Sequence, residues 1–150
     1  MRAVIQRVSE ASVTIKSDVK AQISSGLVIL LGIHSDDTIE DVKWLVNKII
    51  QLRIFSDEDG KMNLSVQDID GNVLVISQFT LFARTKKGTR PSFIGSAKPA
   101  IAIPLYEAFL TQIEEALQKE IGSGEFGADM KVSLVNDGPV TITIDTHQKQ

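Results

Sequence analysis

The chain has 150 residues, no cysteine and a formal net charge of −3. This length fits one domain, residues 1–150, which can fold without crosslinks. The lack of cysteine excludes disulfides, thiolate metal sites and a cysteine nucleophile. The longest apolar run, Leu27–Ile33, is too short to cross a bilayer, and the N-terminus becomes polar before a signal-peptide core could form. We therefore expect a cytoplasmic protein that does not enter a membrane.

The first half of the chain predicts strands followed by a helix. β-Branched residues in partial alternation predict strands at Val4–Val8, Ala11–Lys16 and Val19–Ser24, and the run Leu27–Ile33 predicts a strand buried on both faces. Thr38 suits the N-cap of a helix that ends near Leu52. The apolar face of this helix consists of Ile39, Val42, Leu45, Val46, Ile49 and Ile50.

The second half predicts a long loop, a second helix and more strands. A loop is expected from Ala83 to Ala97, and a helix from Pro99 to Ile121, with Pro104 as a complication inside it. The buried stripe of this helix is Leu105, Phe109, Ile113, Ala116 and Leu117. Strands are predicted at Arg53–Ser56, Asn72–Leu81, Lys131–Val135 and Val140–Ile144. This order predicts an α+β fold with a mainly antiparallel sheet and two main helices on one side of it.

Basic side chains are concentrated in one segment. Between Gly71 and Tyr106 the sequence has no Asp or Glu, although the whole chain is acidic. The basic residues there are Arg84, Lys86, Lys87, Arg90 and Lys98. Such a segment is either a solvated loop or a surface for an anionic partner such as RNA, and the charge pattern alone does not decide between them.

The usual catalytic sets are missing from the sequence. Of the two histidines, His34 ends a buried strand and His147 lies in a C-terminal tail where fraying is expected. A Ser-His-Asp triad is therefore not favoured. Neither metal-ligand spacing nor a phosphate-binding glycine loop is present, so we expect no metal and no cofactor.

Ser77, Gln78, Phe79 and Thr80 place hydrogen-bonding side chains at the end of an apolar strand. Strand alternation predicts that Ser77 and Phe79 face one side and Gln78 and Thr80 the other. Free backbone N–H groups at a strand end can stabilise an oxyanion in acyl transfer. The alternative is an edge strand that becomes solvated.

Asn136-Asp137-Gly138-Pro139-Val140-Thr141 is the second notable segment. Its residues are turn formers, so the simple interpretation is a hairpin turn between the two last strands. Nothing in composition or periodicity indicates whether the Gly138–Pro139 bond is cis.

At these two segments the sequence resembles the D-aminoacyl-tRNA deacylase family, also described as the D-tyrosyl-tRNA(Tyr) deacylases. One family motif corresponds to Ser77–Leu81 and the other to Asn136–Thr141. The likeness extends to Met1–Val8, Arg90–Phe93 and Phe126–Met130, and it covers roughly Met1 to Ile144.

The resemblance implies a homodimer that hydrolyses the ester between a D-amino acid and the terminal adenosine of tRNA, recycling the tRNA and protecting translation from D-amino acids. It implies a catalytic segment at Ser77, Gln78, Phe79 and Thr80. It also implies that Gly138 and Pro139, joined by a cis bond, enter the pocket of the partner subunit and exclude L-amino acids, but not glycine. Supporting roles are implied for Arg7, Phe126 and Met130.

Two mechanisms and two rival functions follow from these residues. Thr80 acts as a nucleophile or orients water, or the ribose 2′-hydroxyl assists while backbone amides hold the oxyanion; the second is preferred because no side-chain base is near Thr80 in sequence. Arg84, Lys86, Lys87 and Arg90 are expected to contact tRNA phosphates. The rivals are a non-catalytic nucleic-acid-binding dimer of the same fold and a small-molecule esterase or amidase that uses Thr80.

Overall fold

The computed structural model describes residues 1–149. The first strand, β1, is a single strand from Arg2 to Ile15, followed by β2 (Asp18–Ile23) and β3 (Gly26–Gly32). The expectation of two separate strands before residue 17 is wrong, because β1 continues through Ser9 and Glu10, and Glu10 pairs with Val135 near the end of the chain. β3 is buried along almost its whole length, as its continuous apolar run predicts.

Helix α1 (Ile39–Ile50) begins at the predicted N-cap. The Asp41 carboxylate accepts hydrogen bonds from the Thr38 amide at 2.9 Å and the Thr38 hydroxyl at 3.1 Å, which fixes the first turn. Five of the six residues assigned to the apolar face are buried, namely Val42, Leu45, Val46, Ile49 and Ile50. Ile39, the sixth, is 42% exposed, so the buried apolar face begins at Val42 rather than at the first residue of the helix.

A two-stranded sheet, β4 (Phe55–Ser56) with β5 (Met62–Leu64), follows α1. β6 (Asn72–Ser77) is shorter than the strand predicted to reach Leu81, because residues Phe79–Phe82 form a 3-10 helix. Helix α2 (Pro99–Leu117) continues through Pro104, which lies in its second turn. Phe109 and Ile113 of the predicted stripe are buried, while Leu105, Ala116 and Leu117 are half-buried.

The last two strands are β7 (Gly122–Ser123) and β8 (Lys131–Asp145). The expectation of two final strands joined by a hairpin turn is wrong. β8 is one strand that pairs antiparallel with β1 along most of its length, so the chain does not reverse at residues 136–139.

The main sheet has the strand order β2-β1-β3-β6-β7, and β8 pairs with β1. The pairs β1–β2, β1–β3 and β1–β8 are antiparallel, whereas β3–β6 and β6–β7 are parallel. Both helices pack on one face of this sheet, where Ile29, Val75 and Phe109 share a core. On the other face, a second hydrophobic cluster packs Val28 and Leu74 against residues in the C-terminal half of β1. The fold is α+β with two main helices and a mainly antiparallel sheet, as predicted.

No helix within residues 1–149 is both long enough and apolar enough to cross a membrane.

Candidate active site

The segment Ser77–Thr80 lies where β6 ends and the chain turns into the 3-10 helix. The Gln78 amide donates to the Leu31 carbonyl at 2.8 Å, and this bond is the last between the segment and the sheet. Strand alternation therefore stops at Ser77, and the expected two-sided arrangement of the four residues does not apply to Phe79 and Thr80. Gln78 and Thr80 nevertheless lie together, because the Gln78 side-chain amide donates to the Thr80 hydroxyl.

Two backbone amides at this place have no hydrogen-bond acceptor within residues 1–149. In the described residues, the amides of Phe79 and Thr80 donate to no protein acceptor, as expected for the first turn of a helix. The Leu81 amide is already bonded to the Gln78 carbonyl at 3.3 Å. Successive free amides of this kind are the donors needed to hold a developing oxyanion.

Within residues 1–149, the Thr80 hydroxyl is bonded to an amide side chain rather than to a base. The hydroxyl oxygen accepts from Gln78, a neutral amide that cannot take up a proton. Across residues 1–149, no His, Asp, Glu or Lys side chain is hydrogen-bonded to it. The geometry therefore supplies hydrogen-bond donors and lacks the nucleophile–base pair of a covalent mechanism.

Phe126 and Met130 lie on opposite faces of the end of β6. Phe126 packs at a ring-centroid distance of 5.8 Å from Tyr106, whose hydroxyl donates to the Val75 carbonyl at 3.3 Å. Met130 packs with Ile76 in the core of the other face. Residues of the Phe126–Met130 segment thus pack on both faces of β6, the strand that ends at Ser77.

The 3-10 helix is joined by direct contacts to the loop of residues 83–97, which carries most of the basic side chains and is called the basic loop. The Phe79 side chain is 56% exposed and stands edge-on to Phe93 with ring centroids 5.1 Å apart. The Ser96 hydroxyl donates to the Phe79 carbonyl at 2.9 Å, and a backbone bridge joins Arg84 to Ser92. The predicted tRNA-binding side chains, Arg84, Lys86, Lys87 and Arg90, are all exposed.

The Gly138–Pro139 peptide bond is cis, as the resemblance implies. Arg7 holds the preceding residue: its Nε donates to the Asp137 carbonyl at 2.8 Å and its Nη1 to the Ile54 carbonyl at 2.7 Å. Gly138 has a φ of +143°, and a Cβ there would stand 2.7 Å from Cγ2 of Val140 and 3.1 Å from Nη2 of Arg7. Only glycine fits both the backbone and the space.

Within one chain, the two motifs are far apart. Arg7 pairs with Leu27, which pairs with Val73, so the dipeptide lies at the level of Val73 rather than Ser77. The offset is about 13 Å along the strands and about 14 Å across them at ordinary strand spacings. A single copy therefore does not bring Gly138 and Pro139 to its own Thr80.

The Ser77–Thr80 segment lies outside the two cavities found in the described part of the chain. These cavities, of about 550 and 310 Å³, adjoin the other end of the 3-10 helix. Leu81 contributes to the first, and Phe82 and Ala83 to the second, but neither cavity is lined by Ser77, Gln78, Phe79 or Thr80. The larger cavity lies between α1 and the end of β8, away from the candidate site.

Arg2 connects the C-terminal end of the 3-10 helix to β8. Its Nη1 donates to the Leu81 carbonyl at 3.0 Å and its Nε to the Asp145 carboxylate at 2.7 Å. Burial raises the pKa of Asp145, but hydrogen bonds from Arg2 and from the His147 amide outweigh it and leave the pKa below its ordinary value. The end of the 3-10 helix is thus tied to the edge of the sheet.

No pattern in the sequence predicts the polar cluster that forms at the chain ends. His147, expected in a fraying tail, contacts the packed structure: its Nε2 lies 2.6 Å from Oδ1 of the buried Asp37. The same oxygen accepts from the Met1 amino group at 2.5 Å, and Asp41 lies close enough to make a three-ligand group with Asp37 and His147. Asp37 is already paired with the amino group, and only tertiary packing brings these residues together.

The fold and the site define a single-domain α+β protein whose candidate centre offers two backbone amides and a hydroxyl. A solved structure titled "c-Myc DNA Unwinding Element Binding Protein" is 40% identical, with a TM-score of 0.90 over 97% of this chain and 98% of that one. Another, titled "Structural Analysis of a probable eukaryotic D-amino acid tRNA deacylase", has a TM-score of 0.84 at 16% identity over 95% of this chain and 97% of that one, which shows a shared fold.

The sequence comparisons then identify the family. The family model described as D-Tyr-tRNA(Tyr) deacylase matches residues 4–145. Proteins named D-aminoacyl-tRNA deacylase from Flavobacterium psychrophilum and Bacteroides fragilis are 60% and 61% identical, and each match covers 100% of both chains. The chain belongs to the D-Tyr-tRNA(Tyr) deacylase family, and it is an enzyme, a hydrolase that deacylates D-aminoacyl-tRNA. The non-catalytic binder is accordingly not favoured.

Proposed function

We propose that the chain works as a homodimer that hydrolyses D-aminoacyl-tRNA, and glycine attached to tRNA, in a site made by Ser77–Thr80 of one subunit and Gly138–Pro139 of the other. The observation that carries this proposal is the separation of the two motifs within one chain, because a second copy is needed for them to meet. Each subunit offers both halves, so a two-fold dimer would contain two equivalent sites.

In the proposed reaction, water attacks the acyl carbon of the ester. The carbonyl oxygen gains negative charge as the bond to water forms, and the free amides of Phe79 and Thr80 donate to it. The neighbouring ribose 2′-hydroxyl orients the water. When the tetrahedral intermediate collapses, the ester C–O bond breaks, the ribose oxygen takes up the proton lost by the water, and the amino acid leaves.

Thr80 is given a positioning role in this scheme. Its hydroxyl is held by the Gln78 side chain, and within residues 1–149 no side-chain base is hydrogen-bonded to it. Esters are activated acyl groups, so oriented water and two backbone donors are a sufficient catalyst for their hydrolysis.

Selection against L-amino acids is assigned to the backbone of Gly138 and Pro139. Both residues are exposed on the isolated chain. The Arg7 guanidinium donates to the carbonyl of the preceding residue and so holds the backbone that leads into the dipeptide. A rigid wall facing the α-carbon leaves room for the hydrogen of a D-residue and collides with the side chain of an L-residue. Glycine has no side chain to collide, so it is accepted.

The reaction is tested with Thr80→Ala and with a substrate lacking the 2′-hydroxyl. Thr80→Ala should keep D-tyrosyl-tRNA hydrolysis within about tenfold of wild type, whereas wild-type enzyme should lose at least about a hundredfold on tRNA ending in 2′-deoxyadenosine. Single-turnover release of labelled tyrosine measures both rates.

L-Tyrosyl-tRNA and glycyl-tRNA serve as paired controls in the same assay. The proposal requires that the L ester survives and the glycyl ester is cleaved. A rate that collapses in Thr80→Ala but persists on the deoxy substrate would contradict the RNA-assisted reaction and point to Thr80 as nucleophile. Turnover of free D-tyrosine esters as fast as of the tRNA ester would favour the small-molecule esterase instead.

A further inference from the structure

Gly138 and Pro139 belong to a bulge in β8. Asn136 pairs with Val8 and Thr141 pairs with Gln6, so residues 137–140 stand opposite Arg7 alone. We call these four residues, Asp137–Val140, the bulge. The first three are exposed, and only Val140 is buried. The extra residues have no ladder partners on β1, so other groups must hold the bulge in shape.

The Asn136 side chain closes the bulge across its base. Its Oδ1 accepts from the Val140 amide at 2.9 Å, and its Nδ2 donates to the Thr141 hydroxyl at 3.1 Å. The Thr141 hydroxyl also accepts from the Gln6 side chain at 3.3 Å. One amide side chain therefore ties the residue before the bulge to the last residue within it and to the first residue after it.

Arg7 and Asn136 restrain the bulge at different places. Arg7 binds the Asp137 carbonyl, on the N-terminal side of the dipeptide. Asn136 binds Val140 and Thr141, on the C-terminal side. Without Asn136, the C-terminal side of the dipeptide would be held only by the packing of Val140 and the pairing of Thr141 with Gln6. With Arg7 and Asn136 together, the dipeptide is held at its two ends.

We propose that Asn136 is a positioning residue that sets the stereochemical selectivity of the enzyme by keeping the Gly138–Pro139 wall rigid. This rests on the proposed function, in which that wall faces the substrate. Exclusion by collision works only if the wall cannot retreat by the width of a methyl group, and sites of this kind need geometry held to about 0.5 Å. Loosening the wall should admit L-residues while leaving the oxyanion donors on Phe79 and Thr80 intact.

The test compares Asn136→Ala with the conservative Asn136→Asp and with Thr141→Val. Asp retains the oxygen that accepts from the Val140 amide, and the Thr141 hydroxyl can donate to it, so selectivity should be retained. Asn136→Ala should raise kcat/KM for L-tyrosyl-tRNA at least about tenfold, while kcat/KM for D-tyrosyl-tRNA falls less than about threefold. Thr141→Val, which breaks only one of the two ties, should change the L-to-D ratio in the same direction and by less.

Asn63→Ala is the matched control, because Asn63 is exposed on β5 and its side chain makes no hydrogen bond within the described residues. Its L-to-D ratio should equal that of the wild type. Fluorescence of Trp44, the single tryptophan, confirms that each variant is folded; if Asn136→Ala is not, Thr141→Val carries the test. An unchanged ratio in the folded variants, or a parallel loss on both esters, overturns the proposal for Asn136. A wild type that cleaves neither ester overturns the proposed function itself.

Discussion

At the scale of single residues, backbone contacts rather than side chains dictate several positions. Gly26 begins β3 directly against Asn72 of β6, and a Cβ built there would fall 1.8 Å from the Asn72 carbonyl oxygen. Backbone cannot yield in the way that a flexible side chain can. Gly26 is thus required by the close approach of two parallel strands.

Gly26→Ala should lower the free energy of unfolding by about 3 kcal/mol, because relieving the clash separates β3 from β6 at the start of their pairing. Urea denaturation followed by Trp44 fluorescence measures the change. Gly95→Ala is the control: its new Cβ would meet nothing closer than 3.5 Å, at Nε2 of His34, so the loss should stay below about 1 kcal/mol. Equal losses in the two variants would refute the explanation.

At the scale of elements, the expectations that rest on local sequence patterns are the ones that the structure confirms. Val42, Leu45 and Ile49 repeat at helical spacing and are buried in α1, and the unbroken apolar run beginning at Leu27 forms the doubly covered β3. The errors lie where tertiary pairing overrules local chemistry. Asn136–Pro139 is composed of turn formers, yet β1 provides a continuous partner on either side, so the chain bulges and continues.

The candidate site was predictable only in part for the same reason. The motif residues were found by resemblance, but the turn after Ser77 was not, since nothing in Gln78-Phe79-Thr80 distinguishes a strand from a 3-10 helix. The ties from Asn136 to Val140 and Thr141 depend on a bulge that only pairing with β1 creates. The role of Asp37 at the chain ends is likewise invisible without the packed structure.

The basic loop, residues 83–97, is the element expected to bind tRNA phosphates. Replacing Lys86 and Lys87 with alanine should weaken tRNA binding and reduce the slope of log K against log salt by about 1.5, because each lost phosphate contact contributes about 0.7 to 0.9. Fluorescence anisotropy of labelled tRNA at several salt concentrations gives the slope.

The matched control replaces Lys20 and Lys43, which are exposed on β2 and α1 and carry the same total charge. Its slope should remain that of the wild type. If both double variants reduce the slope equally, the effect comes from net charge, and the loop has no special part in binding.

At the scale of the whole molecule, the buried phenol of Tyr106 links folding to alkaline pH. Burial raises the pKa of Tyr106 to about 12, whereas an unfolded tyrosine ionises near 10. Below pH about 10 both states are protonated and stability is unaffected. Between about 10 and 12 only the unfolded chain loses the proton, so stability falls as pH rises.

Tyr106→Phe should remove this part of the alkaline loss, which amounts to on the order of 2 kcal/mol by pH 12. Because the chain has a single tyrosine, absorbance at about 295 nm reports this phenol alone. In the wild type, tyrosinate should appear together with unfolding rather than near pH 10. Ionisation of the folded protein near pH 10 would show that the phenol is reached by solvent.

The bulge in β8 makes the length of the chain at this point as important as its composition. Ile142 and Ile144 pack against the helix-side core, two positions apart on the strand that leaves the bulge. Because these isoleucines hold the rest of the strand in register, a residue inserted or deleted among 137–140 must be absorbed within the bulge, or every later side chain would turn to the opposite face. The number of residues in the bulge therefore sets how far Gly138 and Pro139 project from the sheet, and a change in that number should move the dipeptide.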